Sequence, residues 1–211
     1  MKIKELERII KLSWNKYTTY PIYESIWSEE NPSLGQGAVT ALIVNDFMGG
    51  KIMRCMGNEI SHYYNLINDN IVDLTQEQFN NFKLNYNDGE ERSREYLLSN
   101  ENTKERYLIL LKNVKDNFLK YGAYEYKLRD ENNEEYLSKI PGTIGGNKKL
   151  KIYGRFDCPS ALNYIEKGMY IKNRVFFDSV DTAIKAGYRP CGKCLKKEYN
   201  NWKNNKEWFY G

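Results

Sequence analysis

Long apolar runs are missing from this chain. No segment approaches the roughly eighteen apolar residues that a bilayer-spanning helix needs, and the start, MKIKELERIIKLSW, is an amphipathic helix interrupted by charge. A membrane protein is therefore not expected. Cysteine is scarce, four residues among 211, and three of them are clustered. That pattern suits a reducing, cytoplasmic setting better than a secreted disulfide scaffold. Histidine occurs once, as His62, so imidazole chemistry has a single candidate. The glycine pairs in GGK and GTIGG lack the Gly-Lys-Ser/Thr ending and the preceding strand of a phosphate loop. There is no internal repeat, and the abundance of Asn, Lys and Tyr reads as general bias, not a low-complexity tract.

The composition is that of a globular protein, with 41% hydrophobic and 28% charged residues. The length allows one large domain, or a main domain plus a small one. The net charge of +4 conceals a division. From Lys148 to Gly211 there are 14 Lys and Arg against 6 Asp and Glu, whereas the rest of the chain carries 18 against 22. The basic end could hold a polyanion such as DNA or RNA through phosphate contacts; a solvated lysine surface is the plainer alternative.

Periodicity suggests an α+β fold. Leu6, Ile9, Ile10, Ser13, Trp14 and Tyr17 mark one face of a first helix. A later helix begins near Asn102, with Tyr107, Leu108, Leu111, Val114, Phe118 and Leu119 inward and Gly122 as its stop. Between them, AVTALIVND reads as a buried helix, followed by short strands in GGKIMRCMGN, SHYYNLIN and NIVDLT, with turns at Gly-Gly, Gly-Asn and Asn-Asp. The stretch KLRDENNEEYLSKIPGTIGGNKK has mixed charge and no sustained apolar period. It is expected to be a connector, which gives a first module at residues 1–126, a connector at 127–147 and a second module at 148–211.

His62 lies eleven residues before Asp73. A histidine at the end of one strand and a carboxylate on the next could form a base and its orienting partner, as in thiol hydrolases; a structural, hydrogen-bonded histidine is the plainer reading. The nucleophile would have to come from the start of the buried helix, where the positive end of the helix dipole favours a thiolate. That segment reads GQGAVTAL, with Gly37 where a cysteine would be wanted. Cys55, in KIMRCMG, reads as a small core residue.

SLGQGAVTALIVNDFMGGKI, HYYNLI and IVDLTQEQF resemble, in order, the motifs of the YunG family, over roughly residues 10–125. Matching positions include Trp14, Gly35, Gln36, Thr40, Asp46, Gly49, Gly50, His62, Asn65, Asp73 and Phe79. The resemblance implies a papain-like cysteine-protease fold, with His62 as base, Asp73 as its orienter and Gln36 beside the nucleophile position. Gly37 stands where the family carries cysteine, which implies a pseudoenzyme or a thiol hydrolase without its thiol.

Three cysteines, Cys158, Cys191 and Cys194, occur in the basic end, the last two as Cys-x-x-Cys. Two sulfurs on one tight turn facing a third suit a zinc site. LKIYGRFDCPSA, RVFFDSVDTAIKAGYRPCGKC and EYNNWK resemble the metal-binding domain of the Ada DNA-repair protein, in a shortened form covering about residues 148–202. That domain holds zinc with four thiolates, one of which accepts a methyl group from a DNA phosphotriester. Here Ala161 and Leu162 stand where the fourth is expected, so Asp157, another carboxylate or water would have to complete the tetrahedron. The resemblance makes Arg189, Lys193, Lys196 and Lys197 candidates for nucleic-acid contact, although Arg189 could instead brace the knuckle. The tail aromatics Trp202, Trp208, Phe209 and Tyr210 read as an amphipathic end packing back onto the body.

The expectation is thus a papain-like module joined to a small Ada-type zinc knuckle, acting as a non-catalytic binder of DNA, RNA or another phosphate-bearing partner. The cleft of the first module would be left for a protein partner. The rivals are a thiol hydrolase of amide or isopeptide bonds deprived of its cysteine, and, more weakly, a DNA methylphosphotriester acceptor.

Overall fold

Leu6, Ile9 and Ile10 recur at helical spacing and form the buried stripe of α1, Ile3–Lys11. The computed structural model describes residues 2–57, 60–79 and 82–205. The chain divides into two compact units, Met1–Gly122 and Ala123–Gly211.

In the first unit, α2 spans Gly37–Met48 and is buried along nearly its whole length. An apolar helix of this kind must be covered on all sides. Strands β1 (Lys51–Gly57), β2 (Ile60–Ile67), β3 (Asn70–Val72) and β4 (Glu90–Arg92) form an antiparallel sheet in the order β3-β2-β1-β4. The short α3 (Arg94–Leu98) leads into α4 (Glu101–Tyr121). Helix α2 packs on β2, α1 and α4, and the side chains of Leu42, Ile43, Leu110, Val114 and Phe118 are fully buried. Asn68 and Asp69 take φ values of 48° and 60° at the β2–β3 turn, the left-handed pair that a tight hairpin requires. The Gly-Asn turn expected after β1 involves Asn58, which lies outside the described residues.

Two details differ from the periodicity reading. Leu108 and Leu119 are more than half exposed, and the inward face of α4 is Arg106, Tyr107, Leu110, Val114 and Phe118. Tyr17 lies beyond the end of α1 and is exposed.

The second unit opens with a hairpin, β5 (Tyr126–Arg129) and β6 (Glu135–Ser138). It continues through β7 (Ile144–Asn147), β8 (Ile152–Gly154), α5 (Pro159–Glu166), β9 (Arg174–Phe177), α6 (Val180–Lys185), β10 (Arg189–Pro190) and α7 (Lys196–Asn204). Its sheet runs β10-β8-β7-β9, with β10 parallel to β8 and the other pairs antiparallel. Ile144, Tyr153, Val175, Phe177, Ala183, Ala186 and Tyr188 make the core.

The stretch 127–147 is therefore not a connector. It contributes three strands, one of them interior to the sheet, and belongs to the second unit, which begins at Ala123. The reason lies in Gly145 and Gly146. A Cβ on Gly146 would come within 3.1 Å of both Phe177 and Val175, so the backbone itself is the packing surface and the usual alternation of side chains is lost.

Among the described residues no helix is long and apolar enough to cross a membrane. Trp202, in α7, stacks on Tyr199 at 5.6 Å; Trp208, Phe209 and Tyr210 lie outside the described residues.

Candidate functional site

The first unit brings His62 and Asp73 together. β2 carries His62, and Asp73 immediately follows β3, its partner in the ladder. His62 Nε2 stands 2.6 Å from Asp73 Oδ2, with both side chains almost fully buried. Three further donors converge on the carboxylate: Tyr86 Oη on Oδ2 at 2.9 Å, and Thr75 N and Oγ1 on Oδ1 at 3.0 and 3.2 Å. Burial, followed by the charge of Asp73, pushes the Tyr86 phenol up, so it remains a donor. The ring of Phe79 meets the imidazole edge-on at 4.8 Å. With Nε2 committed to Asp73, Nδ1 faces the start of α2, where a Cβ on Gly37 would lie 3.2 Å away. The Gly37 position, His62 and Asp73 thus stand in sequence, with no side chain on the first.

Gln36 and Cys55 are committed elsewhere. The Gln36 side chain is fully buried; its Nε2 donates to Asn15 O at 3.1 Å, and its Oε1 has no partner. It does not line the cleft in front of Gly37. Cys55 sits directly opposite His62 in the β1–β2 ladder but is packed with Tyr64 and Leu84. Burial, and then the charge of Asp73, pushes its thiol up, which keeps it protonated and inert.

Other residues shared with the motifs hold the frame. Trp14 Nε1 donates to Thr40 Oγ1 at 2.9 Å, Asn65 Nδ2 donates to Ala41 O at 3.0 Å, and Asp46 accepts from Arg94 and Tyr107 at 2.8 Å each. Each ties α2 to a neighbour. In front of Gly37 opens a cleft of about 700 Å³, walled by Tyr20, Tyr23, Tyr63, Phe79, Tyr96 and Arg106 among others. Arg106 is a functional candidate that sequence reasoning missed, because it occupies an apolar position on the inner face of α4.

The second unit gathers Cys158, Cys191 and Cys194, whose sulfurs all lie within 4.8 Å of one another. Cys158 caps α5, with Pro159 at the first helical position; Cys191 follows β10, and the Leu195 N–H closes the knuckle turn onto Cys191 O at 3.0 Å. Cys158 Sγ and Cys191 Sγ are 3.8 Å apart. Backbone N–H groups are aimed at the sulfurs: Ala161 at Cys158, Lys193 and Cys194 at Cys191, and Arg155 at Cys194. Hydrogen bonds from Cys158 and Cys194 hold the Cys191 thiol well below its ordinary value, whereas those to Cys158 and Cys191 push Cys194 up. Three thiols this close oppose one another's ionisation, and a cation among them would let all three ionise. The donor set therefore fits a metal ion.

Two features here were not read from the sequence. A Cβ on Gly154 would lie 3.0 Å from Cys194 Sγ, so glycine at the end of β8 is what admits the knuckle. A cavity of about 40 Å³, room for a water, touches Cys158, Cys191, Ala161, Tyr170 and Arg174. Burial, followed by the neighbouring cysteines, pushes the Tyr170 phenol up to about 12. Asp157 does not join the cluster, because both its oxygens pair with Arg155, at 3.0 and 3.3 Å.

Of the basic candidates, Arg189 is committed internally. Its guanidinium lies 5.5 and 5.3 Å from the Tyr199 and Trp202 ring centroids and donates to Pro190 O at 3.3 Å. Lys193, Lys196 and Lys197 are exposed beside the knuckle.

Fold and sites thus define a two-part α+β protein, a buried histidine–carboxylate module followed by a cysteine knuckle able to hold a metal. The chain belongs to the YunG family, whose model, "YunG protein", matches residues 2–119. The model "Metal binding domain of Ada" matches residues 143–196. The "Uncharacterized protein YunG" of Bacillus subtilis (strain 168) is 40% identical over 77 residues, which is 36% of this chain and 63% of the relative's length. No solved structure matches the chain.

Proposed function

We propose that this is a non-catalytic binding protein: its second unit holds zinc and contacts DNA, RNA or another phosphate-bearing partner, while its first unit is a papain-like module without a nucleophile. The reading rests chiefly on the three sulfurs gathered within 4.8 Å with backbone N–H groups aimed at them. Zinc held by Cys158, Cys191 and Cys194 would keep the sulfurs deprotonated at neutral pH. The fourth position falls to a donor from outside the cysteine set, which makes methyl acceptance the weaker alternative. The exposed Lys193, Lys196 and Lys197 supply phosphate contacts, and Arg189 braces α7 from inside.

Protein purified without chelator should contain one zinc per chain, and Cys191→Ser should lose it; substoichiometric metal in a folded wild type would overturn the zinc assignment. Binding to a nucleic-acid duplex or single strand should fall steeply with salt. Replacing Lys193, Lys196 and Lys197 by Gln should reduce the logarithmic salt slope by about one for each phosphate no longer neutralised. Affinity indifferent to both changes would remove nucleic acid from the account.

The gap at Gly37 beside His62 Nδ1 favours a second reading, a thiol hydrolase lacking its thiol. Gly37→Cys should then alkylate with iodoacetamide at neutral pH faster than free cysteine does, and His62→Ala in that background should slow it. A rate no greater than that of free cysteine would sink this reading.

A further inference from the structure

The cleft of the first unit has a charge pattern that its missing nucleophile does not explain. Arg106 is 5% exposed and lies on the cleft wall. Its guanidinium donates to Asn102 Oδ1, Thr18 O and Thr103 Oγ1, at 2.8, 3.2 and 3.3 Å. No carboxylate pairs with it among the described residues, and two of its five N–H groups remain without an acceptor there. Burial holds the group down at about 10. A buried cation without a counter-ion is costly, and one that borders a cavity invites an anion into it.

The second observation is independent. His62 is 2% exposed and lines the same cleft, and its Nδ1 has no hydrogen-bond partner among the described residues. Gly37 opens the twelve-residue α2, and its cap residue Gln36 makes no side-chain bond to the first turn. The leading N–H groups of α2, at Gly37 and Ala38 on the cleft wall, therefore retain the partial positive charge of a helix start. Among the described residues no Asp or Glu lines the cleft, although residues 1–147 as a whole carry 22 acidic against 18 basic residues. Lone N-terminal amides would prove little; here a buried, half-partnered imidazole is aimed at them, and a guanidinium that lies over the Tyr20 ring at 5.7 Å, with no carboxylate partner among the described residues, shares their cavity.

We propose that the cleft is a carboxylate-binding site: one oxygen of the ligand occupies the gap left by the missing side chain of Gly37, between His62 Nδ1 and the first N–H groups of α2. The gap has the size of a single side-chain atom, since a Cβ there would already sit 3.2 Å from Nδ1 and 3.5 Å from Tyr63 N. One carboxylate oxygen fits that space at hydrogen-bond distance when the imidazole carries a proton on each nitrogen, Nε2 donating to Asp73 and Nδ1 to the ligand. Tyr20, Tyr23, Tyr63 and Tyr96 along the cleft suit an apolar or aromatic body behind the carboxylate. The ligand class is therefore a carboxylic acid with an apolar remainder, as at the end of a peptide or an acyl chain. Arg106 stabilises it through the field of the wall.

The inference rests on the reading of Gly37 as a vacated position, and the test keeps the two apart. The sole histidine gives one set of imidazole resonances in the full-length, histidine-labelled protein. Titration with benzoate should shift them saturably, and the neutral isostere benzamide should not. Gly37→Ala, which fills the gap while favouring the helix, should weaken benzoate at least tenfold, and Arg106→Gln several-fold, with circular dichroism confirming that each variant is folded. If Arg106→Gln does not fold, Gly37→Ala carries the test alone. No saturable shift, equal shifts from benzamide, undiminished binding by Gly37→Ala, or inorganic phosphate competing as well as benzoate would each overturn the carboxylate site. A reactive Gly37→Cys in a protein that ignores benzoate would overturn this proposal while sparing the vacated-nucleophile reading.

Discussion

At the scale of single residues, Asp73 is the most heavily used side chain of the first unit. It accepts from His62, Tyr86 and both donors of Thr75 while almost fully buried. Removing one partner of such a set leaves the others buried and unsatisfied. Asp73→Ala should therefore destabilise the fold by about 3 kcal/mol, and Tyr86→Phe by about 1 kcal/mol, both read from urea unfolding midpoints. A change below a few tenths of a kcal/mol for Asp73→Ala would mean that the network is not formed. The pairing of His62 with Asp73 was legible from the strand pattern and the motif order. The bond from Tyr86 to Asp73 was not, since Tyr86 comes from a short turn thirteen residues further on that carries no period of its own.

At the scale of elements, the entry to α2 is fixed by Gly35, whose φ is +68° and whose added Cβ would lie 2.5 Å from Thr19 Oγ1 and 2.7 Å from Tyr20 N. Both strain and overlap oppose any side chain, so Gly35→Ala should cost about 3 kcal/mol and lower the thermal midpoint accordingly. A milder case is the start of α4, where Asn100 Oδ1 accepts from Thr103 N at 2.9 Å. Asn100→Ala should cost about 1 kcal/mol. The helices and the β1–β3 strands were readable because their apolar residues recur at a fixed period. The strand β7 was not, because its interior residues are glycines, Gly146 packed against Phe177 and Val175 and Gly145 facing Phe156. Leu108 and Leu119 misled for the opposite reason: apolar residues beside a buried stripe look like part of it, while the stripe itself admits Arg106.

At the scale of the whole molecule, the cysteine-bearing unit has the smaller means of holding itself together. Among the described residues its core cluster comprises seven buried residues, two of them alanine, and small cores gain most from a metal. A chelator should therefore lower the melting transition of residues 123–205 by more than about 10 °C, with the transition of the YunG-like unit unmoved in calorimetry. Two unmoved transitions would remove the metal from the structural account. The spacing of the sulfurs also bears on the order of assembly. Cys158 and Cys191 are 33 residues apart in sequence and 3.8 Å apart in space, and the chain between them includes α5, β9 and α6. An ion bridging them would act as a reversible cross-link, removing about 4 kcal/mol of loop freedom from the unfolded chain. Docking of the two-residue β10 onto β8 would then depend as much on the supply of metal as on its own two residues.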